Sequence, residues 1–211
     1  VFGAATDVFV NADGHKKSIS GPGVGNYITM AKAVAAARAI VGERALRHHG
    51  LVQAHGTGTP QNRTSESEIL SKTARAFGIE AWPVSAVKSY LGHSLGCASG
   101  DQINATLGMW KHGILPGIAT VEEFAGDVRQ EGLAFSTAHR QVDPQEMAYA
   151  VVNSKGFGGN NASATLLSPV VARKMLRARY AADEWQAWES ANEAVRERQQ
   201  AYDDAMIAGA V

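Results

Sequence analysis

The sequence predicts a layered α/β fold, one half of an α/β/α sandwich, with a helical extension at its C-terminal end. Three observations carry this expectation. Short apolar, β-branched runs alternate with longer helical stretches in the order β-α-β-α-β-β. Two late apolar runs are separated only by a glycine loop, which predicts an antiparallel pair. From Val170 to Ile207 there is neither Gly nor Pro, and apolar residues recur every three or four positions. Residues 1–168 are expected to form the α/β domain and residues 169–211 an amphipathic helical extension.

The elements follow in order. Val1 to Val10 is apolar and β-branched, and Asn11-Ala12-Asp13-Gly14 ends it as a turn. A glycine-rich segment, Gly21-Pro22-Gly23-Val24-Gly25, leads into an Ala-rich helix from Tyr27 to His48. It lacks the Lys-Ser/Thr that would make it a phosphate-binding loop. Leu51 to Ala54 is a short strand ending at His55. Ser65-x-x-Glu68 fits a capping box that opens a helix to Phe77, closed by Gly78. Pro83 to Val87 is the next strand, ending at Lys88. Gly92 to Trp110 holds one formal charge, Asp101, and reads as a buried helix with Ile103, Leu107 and Trp110 on its apolar side. Cys97, at its start, is expected to pack as a small buried hydrophobe. Met147 to Asn153 and Ala162 to Leu167 are the antiparallel pair.

Composition bounds the function classes. The chain has 211 residues, 45% hydrophobic and 19% charged, enough for a sizeable core. Zero net charge argues against nucleic acid or an anionic membrane as a main partner. One cysteine excludes an internal disulfide framework. No signal-like opening and no long apolar run occur, so the expected location is cytoplasmic.

Three blocks carry the chemistry: Val52-Gln53-Ala54-His55-Gly56-Thr57-Gly58-Thr59-Pro60, Lys88-Ser89-Tyr90-Leu91-Gly92-His93, and Asn153-Ser154-Lys155-Gly156-Phe157-Gly158-Gly159-Asn160-Asn161. Their order and spacing resemble the β-ketoacyl synthases of fatty-acid and polyketide synthesis, which have the thiolase fold. The resemblance covers residues 1–168 and implies the C-terminal half of a thiolase-like sandwich. It implies a catalytic pair, His55 and His93, acting as neutral donors at a malonyl carbonyl. Lys88 would be the buried lysine that orders them. Thr57 and Thr59 would bind the phosphopantetheine arm. Phe157, between Gly156 and Gly158, would be the gate whose N–H completes an oxyanion hole. No metal is implied, and the only phosphopantetheine is the one carried by the substrate.

The implied partners are acyl carrier protein bearing an acyl or malonyl thioester, an acyl-CoA primer, and a second subunit in a homodimer. Family members attack with a cysteine well upstream of the first histidine. None of the 54 residues before His55 is Cys. The expectation is therefore the C-terminal half of a larger synthase, lacking the nucleophile. Gln102 stands where many members carry a glutamate partner for the lysine, and whether Asp101 substitutes is open. Lys155 stands where an aromatic is common. A competing reading is a non-catalytic partner of the chain-length-factor type. Retention of His55, Lys88 and His93 weighs against it. The plain alternative for the two histidines is a pair of satisfied core side chains.

Overall fold

The computed structural model describes residues 1–14 and 23–210. His15, Ser20, Gly21, Pro22 and Val211 lie outside the described residues. The chain divides into two compact units, Val1–Ala172 and Arg173–Val211.

The first unit is built on a six-stranded sheet in the order β1-β8-β7-β2-β3-β5. Its strands are β1 (Ala4–Ala12), β2 (Gly50–Gln53), β3 (Trp82–Ser85), β5 (Leu133–Ala134), β7 (Tyr149–Gly156) and β8 (Asn160–Leu167). A small antiparallel pair joins β4 (Ile114–Leu115) to β6 (Arg140–Gln141). β2 pairs in parallel with both β3 and β7. The predicted antiparallel pair is present as β7 and β8.

Alternation along the strands makes the sheet the middle of three layers. Val52, Tyr149, Val151 and Leu167 join one apolar cluster with α1 (Val24–His48) and α2 (Pro60–Ala76). Their neighbours Leu51, Ala150, Val152 and Leu166 join a second cluster on the opposite face, with Met109 and Trp110 of α4 (Ala98–His112). A strand covered on both faces reads as a continuous apolar run, which is why β2 and β7 are visible in the sequence.

Several expectations need correction. α1 starts at Val24, where Asp13 Oδ1 accepts the Gly25 N–H at 2.7 Å, and it is interrupted at Gly42 (φ 80°). α2 begins at Pro60, not near Ser65, because proline suits the first helical position and lacks an N–H that would otherwise be unpaired. Ser65 is therefore inside the helix, bonded back to Asn62 O, and Glu68 pairs with Lys72 at 2.7 Å. Lys88 opens a one-turn helix, α3 (Lys88–Leu91), after β3 has ended. The buried side of α4 carries Ala98, Gln102, Thr106 and Met109, while Ile103 and Leu107 are half-buried. Cys97 is exposed, not buried, because it sits on a single 3₁₀ turn, Leu95–Cys97, ahead of α4.

The second unit is helical. The expected helical extension consists of two helices, α5 (Pro169–Arg179), which crosses the unit boundary, and α6 (Ala182–Ile207), separated at Tyr180 and Ala181. Glu184 accepts the Ala181 N–H at 3.1 Å and so starts α6. Within this unit Arg173 pairs with Glu189 at 2.8 Å and lies 5.9 Å over the Trp188 ring, and Trp188 packs on Trp185 with centroids 4.9 Å apart. Among the described residues no helix is long and apolar enough to cross a membrane.

Candidate active site

Parallel pairing brings the ends of β2, β3 and β7 to one edge, with Gln53 level with Ser85 on one side and Val152 on the other. The chain leaves β2 to place His55, leaves β3 to place Lys88, and continues along β7 to Lys155. Reactive groups of open α/β sheets collect at this edge.

His55 is 1% exposed. Its Nδ1 accepts the Lys155 backbone N–H at 3.3 Å, so the neutral ring carries its proton on Nε2. That Nε2 is buried and has no partner among the described residues. Burial is the main cause that pulls the His55 pKa down to about 4. The Glu66 carboxylate opposes this, while Lys88, His93 and Lys155 add to it. His55 is thus a neutral donor at physiological pH.

His93 reaches the same place from the loop after α3, which turns at Gly92 (φ 73°), a conformation suited to glycine. Its ring stands edge-on to His55 with centroids 5.2 Å apart. Leu95, the only non-glycine residue with positive φ (58°) among those described, folds its N–H back onto His93 Nδ1 at 3.0 Å. The neutral ring therefore also carries its proton on Nε2. Unlike His55, His93 is exposed in this chain.

The Lys88 Nζ is buried and makes no hydrogen bond with the described residues. Burial lowers its pKa, and Glu66 first and Asp101 second pull it back up. Both carboxylates favour its charged form, and neither is hydrogen-bonded to it. Asp101 is engaged by the Ser94 hydroxyl.

Glu66 was missed from the sequence. Its Oε1 accepts the His55 N–H at 2.7 Å and its Oε2 accepts the Gly56 N–H at 2.9 Å. Asn62 Nδ2 donates to Oε2 at 2.9 Å and Asn153 Nδ2 to Oε1 at 2.7 Å. A signal existed: Glu66 lies in the helical stripe Asn62, Glu66, Ile69, Leu70 and Thr73, all buried. A carboxylate in a buried stripe needs partners. Gln102 accounts for its own identity: its Nε2 donates to the carbonyls of Gln53 (3.2 Å), Ala54 (2.7 Å) and Asn153 (3.1 Å). Lys155 is buried and its Nζ lies 3.3 Å from Ser65 Oγ.

The remaining expected residues are accessible. Thr57 and Thr59 hydroxyls are 3.2 Å apart and exposed, and Thr59 makes no side-chain cap bond to α2. Phe157 is 76% exposed at the β7–β8 turn, with Gly156 ending β7 and Gly158 (φ 82°) following. A cavity of about 330 Å³ opens beside this edge, walled by Thr57, Glu66, Lys88, Phe124 and Phe135. Arg63 and Asp127, bonded at 2.8 and 3.0 Å, tie α2 to the loop that roofs it.

One edge of this thiolase-like sheet thus gathers two histidines, a buried lysine and a glycine turn. The chain belongs to the β-ketoacyl synthase family: residues 2–122 match the family described as Beta-ketoacyl synthase, C-terminal domain. It is 53% identical over 210 residues to Beta-ketoacyl-[acyl-carrier-protein] synthase FabY of Pseudomonas aeruginosa, covering 99% of this chain and 33% of that one. The crystal structure of the noncanonical ketosynthase FabY from P. aeruginosa superposes with TM-score 0.94 at 52% identity, over 100% of this chain and 33% of that chain. With 3-oxoacyl-[acyl-carrier-protein] synthase 1 of Escherichia coli the identity is 33% over 112 residues, 53% of this chain and 26% of that one. The chain spans about a third of the length of the curated relatives it matches. The FabY match runs through the helical unit, so that unit is shared with at least one family member.

Proposed function

We propose that this chain supplies the histidine–histidine–lysine half of a β-ketoacyl-[acyl-carrier-protein] synthase that performs decarboxylative Claisen condensation in fatty-acid synthesis. The observation that carries the reading is His55: neutral, buried, its Nδ1 occupied by Lys155 N–H and its Nε2 free beside His93. Two such donors suit a thioester oxygen on which charge develops. The malonyl thioester loses CO2 and its bonding pair becomes an enolate held by the two Nε2–H groups. The enolate carbon attacks an acyl thioester on a cysteine supplied from outside this chain. A carbon–carbon bond forms, the cysteine thiolate leaves, and a β-ketoacyl thioester results.

The Thr57 and Thr59 hydroxyls are proposed to hold the phosphopantetheine arm of the carrier protein. The Phe157 N–H, between Gly156 and Gly158, is proposed to complete the acyl oxyanion hole, with its ring as gate. Lys88 adds positive charge and constrains His93. A homodimer of complete subunits, and acyl-CoA as an alternative primer, belong to the same proposal.

The test is His55→Ala and His93→Ala in the full-length enzyme. Each is expected to lower malonyl decarboxylation by about 10²–10³ while acyl transfer to the cysteine persists. Wild-type decarboxylation by both variants overturns the assignment.

A further inference from the structure

Asn26 is buried in the first turn of α1 with no contact to His55, His93 or Lys88 among its hydrogen bonds, and its amide is 0% exposed. A buried amide in a helix interior needs partners. Asn26 Nδ2 donates to Asn153 Oδ1 at 2.7 Å and to Thr29 Oγ1 at 3.3 Å. Asn153, on β7, is also 0% exposed, and its Oδ1 accepts Ser163 Oγ at 3.2 Å. Asn26 is therefore the main donor to the Asn153 oxygen, because the single Ser163 proton is shared with Thr29 Oγ1 at 2.9 Å. The Asn153 Nδ2 donates to Glu66 Oε1 at 2.7 Å and, at the longer 3.4 Å, back to Asn26 Oδ1, and Glu66 holds the peptide of His55.

We propose that Asn26 is a positioning residue for His55, acting through the side chains of Asn153 and Glu66. The inference rests on the proposed role of His55 and adds a residue to it. Reversing the Asn153 amide would set its oxygen against the Glu66 carboxylate, which costs both a donor and a repulsion. Asn26 opposes that reversal, because its 2.7 Å donation to the Asn153 oxygen would be lost. The start of α1 is itself fixed by Asp13 through the Gly25 N–H, so the end of β1 and the loop of His55 are joined by one chain of hydrogen bonds. Small misplacement of a donor costs rate without altering which groups are present.

The experiment uses the full-length enzyme with Asn26→Leu, Asn26→Asp and Asn26→Ser, and Thr29→Val as control. Thr29 accepts from Asn26 at 3.3 Å and from Ser163 at 2.9 Å, so its loss perturbs the same packing and removes the longer Asn26 bond but leaves the 2.7 Å Asn26–Asn153 bond in place. Asn26→Leu and Asn26→Asp are expected to lower kcat for malonyl-thioester decarboxylation about tenfold, with KM and acyl transfer to the cysteine unchanged. Hydrogen exchange at the His55 and Gly56 amides should quicken in both. Asn26→Ser, which keeps a hydroxyl donor, should fall between these and wild type, and Thr29→Val should keep the wild-type ratio of the two steps. Wild-type decarboxylation in Asn26→Leu and Asn26→Asp, or an equal fall in both steps, overturns the proposal. So does failure of all three Asn26 variants to fold, which would assign the residue to stability alone. If the wild-type enzyme itself does not decarboxylate malonyl thioesters, the proposed function fails instead.

Discussion

Glu66 holds the peptide of His55 rather than its ring: the carboxylate accepts the His55 N–H at 2.7 Å and, with its other oxygen, the Gly56 N–H at 2.9 Å. The loop after β2 is thereby fixed from behind, leaving the imidazole to its own contacts.

Glu66→Gln tests that relationship. Glutamine presents one oxygen and one NH2 where four donors converge, so at least two bonds are lost or reversed. The expected cost is about 2–4 kcal/mol of stability. Chemical denaturation of the full-length enzyme reads it, and a midpoint equal to wild type would contradict the role given to Glu66.

The pH dependence follows from His55. Its pKa is about 4 in the folded chain against an ordinary 6.5. Between these values the unfolded chain binds the proton and the folded one does not, so stability is lost as pH falls from about 6.5 towards 4. The loss amounts to roughly 3 kcal/mol at most. His55→Gln should flatten this part of the stability curve. Denaturation at intervals between pH 7 and pH 4 reads this, and equal slopes for wild type and His55→Gln would refute the depressed pKa.

Gln102→Glu should be strongly destabilising at neutral pH. A carboxylate there would face three backbone carbonyls with no donor to offer. The cost is about 3 kcal/mol or more. The folded state would favour the protonated acid, so its pKa would rise and the loss would grow as pH rises through about 4.3 and above. Urea denaturation at pH 5 and pH 7.5 should show a larger deficit at the higher pH. Equal deficits would sink the donor argument.

Cys97→Ser should leave both acyl transfer and stability unchanged. The side chain is exposed on its turn, so no burial of a hydroxyl is involved, and surface changes of this kind stay within about 0.5 kcal/mol. Loss of single-turnover acylation in this variant would make Cys97 the nucleophile.

Thr59→Val separates carrier binding from folding. The hydroxyl makes no cap bond to α2 and, among the described residues, pairs with Thr57. KM for malonyl-carrier protein should rise about fivefold to tenfold, as one lost hydrogen bond of about 1 kcal/mol implies. Denaturation should be unaffected. A fall in stability with KM unchanged would assign Thr59 to the helix start instead.

The sequence by itself determined the layered α/β class, the antiparallel pair β7–β8 and the three blocks that meet at the sheet edge. These are properties of local spacing: apolar runs of strand length, an Ala-rich helix, and polar or glycine residues at strand ends. It also marked His55, Lys88 and His93 as candidates, through the spacing of the first two blocks. Tertiary structure decided what each of them touches. Glu66, Asn153, Asn26 and Gln102 are 0–3% exposed and take their roles from partners as far as 127 positions away. No periodicity records such pairings. The helix start at Pro60 was misplaced because the Ser65–Glu68 spacing also satisfies a capping box, whereas the fold starts the helix at its proline and so buries Asn62 and Glu66 against the His55 loop. Cys97 was misplaced because small residues around it suit a buried helix, whereas the turn that returns the Leu95 N–H to His93 lifts it to the surface. A hydrophobic pattern reports which face is buried. Hydrogen-bond partners depend on which elements the fold sets side by side.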